Sequence, residues 1–267
     1  MLVHALEILT RVVRRLLQKR DHGLYTTVVE EILRELYLDA VGTWVWGRMK
    51  KDTQDTFALL DSPAPPRGGR LFVEELGKAL RARTDRPKIS IVGHSAGSIF
   101  ACHLLAHVDE MRREGGMPLD FQFHRVAFLA PACRCALWAA ILALHEARPL
   151  WGNFRMYSLS DTLESGYWEA PFLYPRSLLY IISGLLETPE IDVPILGMQR
   201  YMNQSDVYSM PEMEVIRTFL AVGDRQVWSK QNGGAGLSSD ALKHGEFDDT
   251  TGEHVETMRS VIYFLNH

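Results

Sequence analysis

Three residue types in one chain order could carry out acyl transfer: a serine in a glycine-flanked turn, a later carboxylate and a late histidine. The serine is Ser95, in Gly93-His94-Ser95-Ala96-Gly97. The pattern follows a short β-branched run, Lys88–Val92, and opens a segment, Ser98–Arg113, that reads as a helix. A strand that turns straight into a helix strains the backbone at the corner, and glycines on either side leave room where side chains would collide. The helix would aim its first N–H groups, and the positive end of its dipole, at the place where negative charge develops. The bare pattern is weak: with 20 Gly and 15 Ser in 267 residues, chance supplies about 0.08 matches. The strand before and the helix after give it specificity, against the plainer reading of a tight turn with packing glycines.

A serine nucleophile needs a base, and the base needs a group to orient it. His94, His103 and His107 belong to the turn and its helix, His124 to a strand candidate and His145 to a helix. His244 lies in Lys243-His244-Gly245-Glu246-Phe247-Asp248-Asp249, a loop ahead of the last helix, and is the expected base; His254, near the start of that helix, is the rival. Asp161 directly follows the third strand candidate and is the expected acid, with Asp224 in a Gly-Asp-Arg turn and Glu164 as alternatives. The N–H of Ala96, next after the nucleophile, is the expected oxyanion donor. The chemistry that follows is ester cleavage through an acyl-enzyme, with no cofactor and no metal. Cys133-Arg-Cys135 lacks the spacing and the second cysteine pair of a zinc site.

These residues need elements to position them. Residues 1–60 read as mostly helical: Leu2, Leu6, Leu9, Val13, Leu16 and Leu17 form one stripe, and Val28, Val29, Ile32, Leu33, Leu36 and Leu38 another. Asp61–Gly69 is a Pro/Gly connector, and a helix is expected over Leu71–Arg83. Strand candidates are Lys88–Val92, Phe121–Leu129, Phe154–Leu159 and Val215–Val222. Helical segments follow at Ser98–Arg113, Leu137–Ala147, Ser177–Leu186 and Glu253–Leu265. Alternation of strands with helices predicts an α/β fold with a mostly parallel sheet. The expected division is a helical region, 1–87, and a core, 88–267, carrying a cap-like insertion at about 164–211. The insertion's aromatic residues either line a lid for an apolar acyl group or pack the insertion's own core.

Composition sets limits. Hydrophobic residues make up 46% and charged residues 23%, ordinary for a globular chain. A net charge of −4 supplies no field for phosphate backbones, which argues against nucleic-acid binding. Three cysteines make no disulfide framework. The longest apolar runs, Cys135–Leu144 and Ser177–Leu186, are half the length that a membrane span needs. Glu7 and Arg11 interrupt the first apolar stretch, so it does not read as a secretion signal, and a cytoplasmic location is expected.

The Gly93–Gly97 turn, Ala130-Pro131 ending the next strand, Asp161 after Ser-Leu-Ser and the late His244-Gly245 together resemble the α/β-hydrolase family. Tyr174-Pro-Arg-Ser-Leu-Leu-Tyr180, Pro194-Ile-Leu-Gly-Met198 and the His244–Asp248 phrase are similar to a bacterial esterase branch of it. The resemblance covers about residues 40–267 and implies a serine hydrolase acting on a small-molecule carboxylic ester. It also implies strands that this chain does not show. In the family the turn follows the fifth strand of about eight, and a His-Gly loop after the third gives the second oxyanion N–H. Upstream of Lys88 no convincing strand is found, and the charged residues before His22-Gly23 do not suit a buried parallel strand. Three explanations are open: an incomplete N-terminus, a second chain that completes the sheet, or N-terminal helices that replace the lost half in a weak or non-catalytic binding protein. In the last case Lys88–Val92 becomes an edge strand, expected to be covered by a helix or by a second copy in a homo-oligomer.

Overall fold

The computed structural model describes residues 2–36, 38–58, 67–166, 169–187 and 189–267. Helices α1 (Leu2–Leu17), α2 (Leu24–Glu35), α3 (Leu38–Asp55) and α4 (Gly68–Arg81) come first. Strands and helices then alternate: β1 (Ser90–His94), α5 (Gly97–Arg113), β2 (Phe123–Leu129), α6 (Cys135–Ala147) and β3 (Trp151–Leu159). The remainder is α7 (Asp161–Gly166), α8 (Leu178–Ile181), α9 (Gln199–Asn203), α10 (Pro211–Ala221), β4 (Gln226–Ser229) and α11 (Glu256–Asn266). Residues 61–66 of the expected connector lie outside the described residues.

The strands form one parallel sheet in the order β1-β2-β3-β4. Its register lines up His94 with Leu129, Leu129 with Tyr157, and Leu159 with Ser229. The residues that follow β1 and β3, Ser95 and Asp161, therefore leave the same end of the sheet.

Side chains alternate across the strands, as the pleat requires. Val126, Phe128, Phe154 and Met156 enter the larger core, which includes buried residues of α5, α6 and α10. Ala127, Leu129, Tyr157 and Leu159 face the other way, onto Phe247 and onto Val261 and Phe264 of α11. Both faces are thus covered, as apolar parallel strands demand. Among the described residues no helix is long and apolar enough to cross a membrane.

One strand expectation is corrected. Val215–Val222 is not a strand, since 215–221 belong to α10. Pro211 opens that helix, Glu212 and Glu214 sit in its first turn, and the buried Met213, Ile216 and Leu220 recur at helical spacing. The fourth strand is β4, so Asp224 precedes a strand instead of following one.

Strand β1 is the sheet edge. α5 packs against it, yet Val92 remains 45% exposed in the single chain. Of the two covers expected there, a helix or a second copy, α5 supplies the first only in part.

The N-terminal helices are fastened to the insertion by buried charge. His22 sits with Nδ1 2.8 Å from Glu30 and Nε2 2.9 Å from Asp192. Arg15 pairs with Glu30 and Glu31, and Tyr174 donates to Glu30 at 2.5 Å. Tyr201 and Tyr208 donate to the two oxygens of Asp192 at 2.8 and 2.5 Å. His22-Gly23, considered above for an oxyanion loop, is spent on this junction: Arg176 Nε and Nη2 donate to the His22 carbonyl at 3.1 and 2.9 Å.

Burial would push the Glu30 carboxyl up, but the His22 ring and its hydrogen bond, then Arg15 and Tyr174, outweigh it and hold it down at about 2. A carboxyl depressed on folding stabilises the fold above its unfolded value near 4.5, and that contribution is lost as pH falls toward 2. The shift corresponds to an order of 3 kcal/mol. Glu30→Gln is expected to lower stability at pH 7 by about 3–5 kcal/mol, since it strands buried cations. It should also flatten the fall in stability between pH 4.5 and 2. Urea unfolding across that range checks both, and an unchanged pH slope would contradict the assignment.

Candidate active site

Ser95 has φ of +52°, a left-handed conformation that non-glycine residues seldom adopt. Such strain persists only where surrounding bonds fix it. Here the Ser95 N–H donates to Leu129 O at 2.9 Å and so extends the β1–β2 ladder. The Ser95 carbonyl accepts the N–H groups of Ala132 and Ser98, both at 3.1 Å, and the Ser98 hydroxyl at 2.7 Å. Ser98 Oγ in turn accepts the Cys133 N–H at 3.1 Å. The turn is therefore locked to the loop after β2. Gly93 is required by close approach: a Cβ there would meet the Gly97 carbonyl and the Ser98 nitrogen at 3.0–3.1 Å. Ala96 already has helical angles at the start of α5, where N–H groups have no intrahelical acceptor.

His244 is the first residue of a short 3-10 turn, His244–Glu246. Glu246 closes that turn by accepting the N–H groups of Leu242 and Lys243 at 2.7 and 3.0 Å. The turn is pinned to the end of β1: His94 Nε2 donates to the His244 carbonyl at 3.0 Å, and the two rings stack with centroids 5.3 Å apart. His244 thus lies against the residue immediately before Ser95. It is 7% exposed, and neither ring nitrogen has a hydrogen-bond partner. Burial, then the neighbouring His94, lower its pKa to about 4 against a weaker upward pull from Asp248, so the ring is neutral at pH 7. The rival His254 is placed elsewhere, with Nδ1 on Asp240 O at 3.0 Å and Nε2 3.8 Å from Glu246.

Asp161 begins α7 directly after β3, at the Ser95 end of the sheet. The insertion grips it twice. Tyr180 donates to Asp161 Oδ1 at 2.8 Å, and the Asp161 N–H donates to Gln199 Oε1 at 2.9 Å. The structure brings together His94, the residue before Ser95, and His244; it joins the His244 ring to neither Ser95 nor Asp161, and it engages Asp161 with Tyr180. Asp224 lies at the opposite end of the sheet, where its carbonyl accepts Arg155 Nε at 2.7 Å. Glu164 is fully buried beside Ser177. Burial pushes its carboxyl up to about 8, beyond what the Ser177 hydroxyl restores, so it carries no charge at pH 7.

Comparison with protein-family models, with curated proteins and with solved structures finds no match. The site must be read from its own geometry.

A cavity of about 390 Å³ opens alongside α5, one turn beyond Ser95. Ile99 and His103 form its floor, with Lys50 and Lys51 of α3 and Arg134 at its rim. Those cations are paired: Lys50 and Arg134 with Glu187, Arg134 also with Glu190, and Lys51 with Asp55. The insertion's tyrosines do not form a lid. Tyr174, Tyr180, Tyr201 and Tyr208 are buried, and their hydroxyls are spent on Glu30, Asp161 and Asp192. Tyr167 and Trp168 lie outside the described residues. Two features escaped sequence reading. Asp248 Oδ2 lies 3.6 Å from His94 Nδ1, and Ser98 braces the strained turn. Both occur within a few residues of the predicted site, but side-chain direction decides their roles.

Ser98→Ala removes the hydroxyl that accepts from Cys133 and donates to Ser95. A loss of about 1–2 kcal/mol in urea unfolding is expected, because the Cys133 N–H is left buried without an acceptor. Unchanged stability would show that the turn is held by the backbone alone.

Proposed function

We propose that this chain is an α/β-hydrolase-like serine hydrolase that cleaves carboxylic esters. The observation that carries the reading is Ser95: a non-glycine residue at φ +52° between a parallel strand and a helix, with its backbone fixed by hydrogen bonds. That is the cost a fold bears to lift a serine hydroxyl above the sheet. The neutral, buried His244, held to His94 one residue before Ser95, is the second support.

In this reading His244 accepts the Ser95 proton as Ser95 Oγ attacks the ester carbonyl. The oxyanion is stabilised by the Ala96 N–H at the start of α5. The alcohol leaves with the proton from His244. Water then attacks the acyl-enzyme, again giving its proton to His244, and the carboxylic acid departs while Ser95 is re-protonated. With a pKa of about 4 the imidazole is neutral but weakly basic until a carboxylate stabilises its charged form. Asp161 is the acid of the reading, by its place after β3.

A second reading, a non-catalytic binding protein on the same fold, draws on two observations: the unjoined His244 ring and the engagement of Asp161 by Tyr180. A fluorophosphonate probe separates the two. The hydrolase reading expects labelling of the folded wild type and none of Ser95→Ala; an unlabelled folded wild type removes it. For the acid, Asp161→Asn is expected to cut ester turnover by about 10⁴-fold, as loss of a triad carboxylate does. Asp224→Asn should leave turnover within about twofold, since surface changes away from the chemistry do little. A collapse in Asp224→Asn alone would reverse the assignment.

A further inference from the structure

We infer that His94 and Asp248 form a clamp that positions His244 beside the serine. The inference rests on the hydrolase reading for its purpose but on separate geometry for its existence.

His94 is the last residue of β1, so its backbone is held by the sheet, paired with Leu129. Its Nε2 donates to the His244 carbonyl at 3.0 Å, which fixes a proton on that nitrogen. Its Nδ1 faces Asp248 Oδ2 at 3.6 Å, and Asp248 lies four residues after His244 in the same loop. One ring thus holds the loop at two points. Ring stacking at 5.3 Å sets the distance between the two imidazoles, and Phe247, 6.5 Å from the His94 ring, backs them from the apolar core. Among the described residues no hydrogen bond reaches the His244 ring itself; the His94 bond goes to its backbone carbonyl. Its placement therefore rests on packing against the His94 ring and on a backbone that His94 and Glu246 hold together. The other charged or titratable groups acting on His244 are these same two: His94 from β1 and Asp248 from the loop, pulling its protonation in opposite directions. His94 and Asp248 are positioning residues; they act on Ser95 only through His244.

The test uses the full-length chain. Ring NMR titration of His244 is followed in the wild type, in His94→Phe and in Asp248→Asn. The rate of Ser95 labelling by a fluorophosphonate is measured on each at pH 7. The clamp predicts that the His244 midpoint rises in His94→Phe, which removes the neighbouring ring that lowers it. It predicts that the midpoint falls in Asp248→Asn, which removes a negative one. Labelling of His94→Phe should slow by about tenfold to a hundredfold, the scale of a misplaced catalytic group. A merely structural role would lower stability without moving the midpoints in opposite directions. Asp248 is 61% exposed at its side chain, so Asp248→Asn should fold even where His94→Phe does not, and its downward shift then decides. Unmoved midpoints overturn the clamp. Opposed shifts in a chain whose wild type is never labelled uphold the clamp and remove the hydrolase reading.

Discussion

The backbone of Ser95 is the constraint on which the rest of the site depends. A left-handed serine costs of order 1–3 kcal/mol, and that cost must be met by bonds that fit no other conformation. Leu129 takes the N–H, while Ala132 and Ser98 converge on the carbonyl. Leu129 belongs to the sheet, Ala132 to the loop after β2 and Ser98 to α5. The serine is therefore positioned by β1, β2, the loop after β2 and the first turn of α5 acting together. The sheet register sends Asp161 out at the same end, and His94 anchors the His244 turn at the end of β1.

The N-terminal third contributes no strand to this sheet among the described residues. It contributes instead a layer of helices bound through buried ions. His22 between Glu30 and Asp192 is the centre of that layer, and Tyr180 links it to the site. The Tyr180 ring meets His22 edge-on with centroids 4.7 Å apart, and its hydroxyl reaches Asp161. Charges buried this deeply tolerate few alternative arrangements, because each lost partner leaves an uncompensated ion. The insertion thus serves as the joint between the helical layer and Asp161.

Local features of the site were legible in the sequence; long-range partners were not. Ser95 stood out because a glycine-flanked serine between a β-branched run and a helix is a local signal. Asp161 and His244 are expectations from chain order alone, and no hydrogen bond joins the His244 ring to Asp161. Val215–Val222 misled because Val, Ile and Thr favour strands, although Pro211 with Glu212 and Glu214 marked a helix start. The true β4 spans only four residues, too few to show a period. His22 could not be read at all, since its partner Asp192 lies 170 residues away in the chain. The insertion's tyrosines suit a lid or a core equally by sequence, and only their hydroxyl partners distinguish the two.

The central claim is that Ser95 is an acyl-transfer nucleophile. It is tested most directly by acid-quenching the chain during turnover of an activated carboxylic ester and mapping the adduct by peptide mass spectrometry. The account predicts an acyl group on the peptide that contains Ser95, accumulating further when His244 is replaced by a residue that cannot promote deacylation. An acyl group on another residue, or ester turnover that continues in Ser95→Ala, would contradict it.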